Sequence, residues 1–127
     1  MIAIDTSALM AIVLDEPQRL ACMTRINVET EVLISAATLV EALIVASRRN
    51  VWAQMVQLID GIGLDVVPVT EAAARRVATA HRQWGRGSHP ARLNFGDCFA
   101  YAIAKEHACP LLFVGDDFAK TDLPAAM

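Results

Sequence analysis

Short apolar runs alternate with longer amphipathic segments along the whole chain. The apolar runs at residues 2–4 and 111–114 are predicted as buried strands, and residues 31–35 and 64–69 are predicted as two further strands. Between them, apolar residues recur at helical spacing, and strands that alternate with helices favour a parallel sheet. We therefore expect an α/β fold with one domain over residues 1–127. Its central parallel sheet has four or five strands and is flanked by helices on both faces.

The helix boundaries are predicted from capping and breaking residues. Thr70 is the expected N-cap of one helix, Gly61 and Gly63 mark the end of another, and Pro68 indicates that its strand lies near a sheet edge. The segment from Ala36 to Arg49 is apolar nearly all round, so we expect that helix to be largely buried. The predicted helices span residues 6–14, about 17–28, 36–49, 50–60, 70–84 and about 95–108.

Composition narrows the class of protein. The chain is 55% hydrophobic and only 20% charged, which suggests that some apolar surface faces a partner chain. No apolar run is long enough to cross a bilayer, and residues 1–5 lack the features of a signal peptide, so we expect a cytoplasmic protein. The three cysteines form no close pair, which argues against disulfides and a zinc site.

One segment is basic although the net charge is −3. Residues 72–96 contain no acid, and within them residues 85–92 form a loop with two glycines and a proline. The loop is either a solvated surface loop or a contact for phosphate groups, which arginine binds with two parallel hydrogen bonds. The candidates for phosphate contact are Arg82, Arg86 and Arg92.

Four acids stand where strands end or helices begin. Asp5 and Asp116 follow predicted strands, Asp97 comes three residues after a helix-capping Asn94, and Glu41 is the only charge from residue 36 to 47. Each acid also has a structural interpretation. Asp5 and Asp97 are in positions that cap helices, and Glu41 is in a position to join a polar stripe on its helix.

The carboxyl ends of parallel strands meet at one edge of a sheet, where these acids can converge. Clustered carboxylates raise one another's pKa values unless a cation lies between them. Oxygen ligands alone favour Mg²⁺ or Mn²⁺, and such a site beside arginines suits phosphodiester hydrolysis by a metal-activated water. Thr6 and Ser7 are candidates for substrate binding, in which they would hold a metal-bound water or orient Asp5, although either can instead cap the helix.

These motifs together resemble a PIN-domain ribonuclease, and more narrowly the VapC toxins of bacterial toxin–antitoxin pairs. The resemblance covers residues 1 to about 123. It rests on IDTSAL at 4–9, SAATLVE at 35–41, NFGDC at 94–98 and LFVGDDF at 112–118.

The resemblance implies a Mg²⁺- or Mn²⁺-dependent endoribonuclease that acts on RNA, forms a homodimer and is neutralised by a cognate VapB-like antitoxin. Asp5, Glu41 and Asp97 match the first three acids of the family. Asp116 fits best as the fourth, with Asp117 and Asp122 left open.

Two other classes compete with this interpretation. A phosphatase of the haloacid dehalogenase kind carries a second Asp two residues after the first, where this chain has Ser7. A non-catalytic protein-binding α/β module would carry the same acids as surface features. The second alternative predicts that the purified protein binds no Mn²⁺ and that Asp5→Ala has no functional effect.

Overall fold

A computed structural model describes all residues from 1 to 127. Four parallel strands form one sheet in the order β3-β2-β1-β4. The elements in chain order are β1 (Ile2–Ile4), α1 (Thr6–Val13), α2 (Arg19–Asn27), β2 (Val32–Ser35), α3 (Ala36–Arg48), α4 (Trp52–Ile62), β3 (Asp65–Val67), α5 (Glu71–Trp84), α6 (Phe95–Glu106) and β4 (Leu111–Leu112). The predicted α/β class, parallel sheet and edge position of β3 are confirmed.

Helices cover both faces of the sheet because alternate strand residues are apolar on both sides. Ala3, Leu33 and Leu111 belong to one buried cluster, which contains residues of α5 and α6. Ile4 and Ile34 belong to a second cluster, which contains residues of α1, α2, α3 and α4. The sheet is thus buried between two helical layers, and its carboxyl edge remains free to form a site.

Several helix ends are fixed by capping residues that the sequence indicated. Thr70 Oγ1 accepts a hydrogen bond from the Ala73 amide at 3.1 Å, and Gly63 ends α4 with φ of 72°. Glycine suits that left-handed conformation because it has no Cβ. All three cysteines are buried and free, as expected.

Two sequence-based expectations about packing and strand length are wrong. The helix α3 is not largely buried, because only Thr38, Ala42 and Ala46 lie inside, while Val40 is 57% and Ile44 is 47% exposed. No further layer of this chain covers its outer face. The strand β4 ends at Leu112 instead of residue 114, because the Val114 amide donates to a side chain rather than to a neighbouring strand.

No helix in the structure is both long and apolar enough to cross a membrane.

Candidate metal centre

Asp5 lies at the carboxyl end of β1, which is an inner strand of the sheet, and it is 4% exposed. Its Oδ2 caps α1 by accepting hydrogen bonds from the Ser7 amide at 3.0 Å and the Ser7 hydroxyl at 2.6 Å. Its Oδ1 is buried without a partner. Burial raises the pKa of Asp5, opposed by the Ser7 hydrogen bonds, while the Glu41 charge raises it further. A buried carboxylate with one free oxygen favours a proton or a cation.

Ser7 connects Asp5 to the segment that follows β4. Its hydroxyl donates to Asp5 and accepts a hydrogen bond from the Val114 amide at 3.0 Å. The turn that carries Asp116 and Asp117 begins just beyond Val114. Ser7 therefore fixes the distance between the first acid and the last acids of the site.

Glu41 is held by a hydroxyl group and not by a cation of the protein. Thr6 donates a hydrogen bond to Glu41 Oε1 at 2.6 Å. Arg48, which lies near Glu41 by helical spacing, forms no ion pair with it. The Thr6–Glu41 hydrogen bond joins the start of α1 to the second turn of α3, and so brings two of the predicted acids to the same edge.

The first turn of α6 lies directly against Glu41 because residue 96 is glycine. A Cβ at Gly96 would lie 2.1 Å from Glu41 Oε2, which is far inside normal contact distance. The missing side chain therefore allows the Glu41 carboxylate to lie beside the residue that precedes Asp97. Gly96 was not among the site residues predicted from the sequence. The available signal was a glycine inside a helix-opening motif, where it otherwise lowers helix stability.

Asp97 both caps α6 and takes part in the acid cluster. Its Oδ2 accepts from the Asn94 amide at 3.0 Å, and Asn94 Oδ1 accepts from the Asp97 amide at 2.8 Å, which completes a capping box. Burial raises the pKa of Asp97 to about 6 against the effect of the Asn94 bond, and the charges of Asp5, Asp117 and Glu41 add to the rise. Asp97 is thus electrostatically coupled to acids from three other segments.

The three acids after β4 have different surroundings. Asp116 and Asp117 are exposed in the turn before a short 3₁₀ helix, and Asp117 is the one whose charge helps to raise the pKa of Asp97. Asp122 accepts hydrogen bonds from the Tyr101 hydroxyl at 2.7 Å and from Lys105 Nζ at 2.9 Å. The Lys105 bond lowers the pKa of Asp122, so this acid already has a cationic partner elsewhere.

The side chains fit a hard divalent cation bound mainly through water. No three acids, histidines or cysteines are spaced closely enough to ligate one ion as they stand. Mg²⁺ commonly binds through one or two carboxylates and keeps several waters, so a complete protein cage is not required. The free Oδ1 of Asp5 and the all-oxygen donor set are consistent with that mode of binding.

The arginines predicted to contact phosphate are free to do so. Arg75 pairs with Glu71 at 3.5 Å and Arg76 with Glu106 at 2.9 Å. In contrast, Arg82, Arg86 and Arg92 are exposed and form no ion pair. The Arg86 amide donates to the Leu93 carbonyl at 3.0 Å, and the Leu93 amide donates to the Trp84 carbonyl at 3.1 Å. These bonds attach the basic loop to the segment that leads into α6.

The fold is that of a PIN-domain nuclease. Residues 2–123 match the model of the PIN domain, so the chain belongs to the PIN domain family. It is also 39% identical over 127 residues to ribonuclease VapC42 of Mycobacterium tuberculosis, covering 97% of each chain. It is 38% identical over 128 residues to ribonuclease VapC28 of the same organism, covering 98% of this chain and 96% of the relative.

Solved structures share the fold. The crystal structure of M. tuberculosis VapC20, a sarcin-ricin loop cleaving toxin, matches with a TM-score of 0.78 and 16% identity, over 97% of this chain and 96% of that chain. A toxin–antitoxin complex from Klebsiella pneumoniae matches with a TM-score of 0.70 and 18% identity, over 96% and 93%. The resemblance to VapC-type PIN-domain nucleases is confirmed, and the chain is an enzyme of this class.

Proposed function

We propose that this protein is a Mg²⁺- or Mn²⁺-dependent endoribonuclease that acts as the toxin of a bacterial toxin–antitoxin pair. The observation that carries the proposal is the buried, unpartnered Oδ1 of Asp5. It lies near Asp97, whose pKa is raised by burial and, to a smaller extent, by the charges of Asp5, Asp117 and Glu41. The relatives that match almost the whole chain are named as ribonucleases, which supports RNA as the substrate. An RNA substrate is consistent with the expected cytoplasmic location.

The residues that hold the metal are proposed to be Asp5, Glu41, Asp97 and one acid of the turn after β4. Asp116 was predicted for the last position, and the charge coupling of Asp117 to Asp97 makes Asp117 the stronger candidate of the pair. When bound, the metal lowers the pKa of an attacking water and stabilises the leaving oxygen. Each of these carboxylates would hold the cation directly or through a bound water, because no three of them are spaced closely enough to ligate one ion as they stand. Asp97 would then be an ionised ligand, since a nearby cation stabilises the charged carboxylate.

Thr6 and Ser7 act on the carboxylates and not on the RNA. Thr6 holds one oxygen of Glu41, and Ser7 holds one oxygen of Asp5 while it anchors the Val114 amide. Both were predicted as candidates for substrate binding, and their hydrogen bonds support a positioning role. Arg82, Arg86 and Arg92 are proposed to contact the phosphates of the RNA, because their charges are exposed and unpaired.

Two partners are proposed besides RNA. The exposed Val40 and Ile44 on α3 provide an apolar face that suits a homodimer. A cognate VapB-like antitoxin is expected because one structural neighbour is a VapBC pair, VapBC2 from Rickettsia felis. That pair is bound to a DNA fragment from its promoter.

The alternatives lose support. A haloacid-dehalogenase-like phosphatase needs a second acid at position 7, where Ser7 is committed to two hydrogen bonds. A non-catalytic module gives no reason for the buried, unpartnered oxygen of Asp5 in a chain of the PIN domain family.

Expression of the protein alone in a bacterium, beside an Asp97→Asn variant, tests the function. We expect the wild type to stop growth and to fragment RNA, the variant to do neither, and co-expression of the cognate antitoxin to restore growth. Purified wild type should cut an RNA pool in Mn²⁺ and not in EDTA. Equal growth of both strains, together with no RNA cleavage in Mn²⁺, would overturn the proposal.

A further inference from the structure

The most exposed large aromatic side chain lies beside the acid cluster. Phe95 is 74% exposed and is the first residue of α6, two positions before Asp97. Its ring packs edge-on against Phe99, with the ring centroids 5.0 Å apart. A side chain this exposed contributes little to the core, so its aromatic surface is available to a ligand.

Phe95 forms one wall of an apolar cleft between α5 and α6. The cleft has a volume of about 420 Å³, within the size range of sites for small organic groups. His81 is the only polar side chain among its walls, and the His81 ring has no hydrogen bond to the protein. The lining residues are Val69, Ala74, Val77, Ala78, His81, Phe95, Cys98 and Phe99.

Cationic residues lie on one of the two helices that form this cleft and on the loop that joins them. Arg82 follows Ala78 by one turn of α5, and Arg86 and Arg92 belong to the loop that leads from α5 to Phe95. All three are exposed and unpaired, so they complement a chain of phosphates. The cleft therefore has an aromatic surface and one hydrogen-bonding ring, and basic residues belong to the elements that form it. Its wall at Phe95 is two residues from Asp97 of the acid cluster.

On the basis of the proposed ribonuclease function, we propose that this cleft binds one unstacked base of the RNA, which stacks on Phe95 next to the cleaved phosphodiester. Proteins commonly bind single-stranded RNA by stacking its bases on aromatic side chains, with basic groups along the backbone. A second copy of this chain is the less suitable occupant. Eight residues line the cleft, whereas a stable protein interface uses roughly 20–30 residues on each side.

Binding to two labelled probes tests the proposal in an Asp97→Asn background that does not cleave RNA. One probe is a random-sequence single-stranded RNA oligonucleotide, and the other is an abasic ribose-phosphate oligonucleotide of the same length and charge. We expect Phe95→Leu to weaken RNA binding by about 10-fold in fluorescence anisotropy and to leave abasic binding unchanged. Phe95→Trp should retain RNA binding. Leu20→Ala, at a 73% exposed site on α2, is the control and should affect neither probe.

Three results would overturn the base site. RNA binding could be unaffected by Phe95→Leu, both probes could be weakened equally, or size-exclusion chromatography could show that Phe95→Leu dissociates a dimer. The third result would assign the cleft to a second copy. If one of these results is obtained but the protein with native Asp97 cleaves RNA, only the base site is wrong. If the protein with native Asp97 neither binds nor cleaves RNA, the proposed ribonuclease function is wrong as well.

Discussion

The acids at the start of the site and the acids at its end are held in different ways. Asp5, Glu41 and Asp97 each accept a hydrogen bond from a fixed group, namely Ser7, Thr6 and the Asn94 amide. Asp116 and Asp117 lie exposed in a turn, where no hydrogen bond to their carboxylates is formed. The carboxylates of the first group are therefore fixed by hydrogen bonds, whereas those of the last acids are not. The backbone of their turn is held by the hydrogen bond from the Val114 amide to Ser7 and by the buried Phe118.

Removal of a fixed acid should have the largest effect. We expect Asp5→Asn to lower the rate of RNA cleavage by about 10³-fold, or roughly 4 kcal/mol of transition-state stabilisation. The melting temperature should not fall, because burial already penalises the charged form of Asp5. Asp60→Asn, an exposed position on α4, is the matched control. A cleavage rate in Asp5→Asn close to that of Asp60→Asn would remove Asp5 from the site.

Removal of either exposed acid, Asp116 or Asp117, should lower the cleavage rate less than removal of Asp5. The two losses should differ in size. We expect Asp117→Asn to reduce cleavage by about 10- to 100-fold and Asp116→Asn to reduce it less, because the Asp117 charge is coupled to Asp97. The opposite order would support the sequence-based choice of Asp116. Asp122→Asn should leave kcat unchanged, since its carboxylate is bound by Tyr101 and Lys105.

Gly96→Ala tests how closely Glu41 is fixed. The added Cβ would displace the Glu41 carboxylate, so we expect Mn²⁺ affinity and cleavage rate to fall by about 10-fold. Folding stability should change little, because alanine is a better helix former than glycine. Gly61→Ala is the control, since nothing lies within 4 Å of its added Cβ. Unchanged Mn²⁺ affinity in Gly96→Ala would show that Glu41 tolerates displacement.

The pH dependence of stability should give the smallest effect. The pKa of Asp97 rises from 3.8 to about 6 on folding, so the folded state binds more protons than the unfolded state between these values. In EDTA, stability should therefore fall as pH rises through this window, by on the order of 1 kcal/mol once partial solvent screening is allowed for. Denaturant melts of wild type and Asp97→Asn check this. If the free energy of unfolding depended on pH equally in the wild type and in Asp97→Asn, the raised pKa of Asp97 would be contradicted.

The periodicity of the chain predicted much of this structure. It indicated the parallel order of strands and helices, and the Thr70 and Asn94 caps, because these features depend on nearby residues. It could not show that α3 leaves Val40 and Ile44 exposed, because burial of an apolar helix depends on what packs outside it.

The same limit applies to the site. Strand ends indicated Asp5 and Asp116 as candidates, and a helix-capping motif indicated Asp97. The Thr6–Glu41 hydrogen bond, however, joins residues 35 positions apart. The close approach of Gly96 to Glu41 likewise depends on how α3 and α6 pack. Such contacts between distant elements are fixed by tertiary packing, which local sequence patterns do not encode.

A calorimetric titration with Mn²⁺ at neutral pH tests most directly whether acids from separate elements share one cation. We predict that the wild type binds Mn²⁺, that Asp5→Asn and Glu41→Gln each weaken binding by at least about 10-fold, and that Asp122→Asn binds like the wild type. Equal Mn²⁺ affinity in all four proteins would contradict a shared metal site at the edge of the sheet.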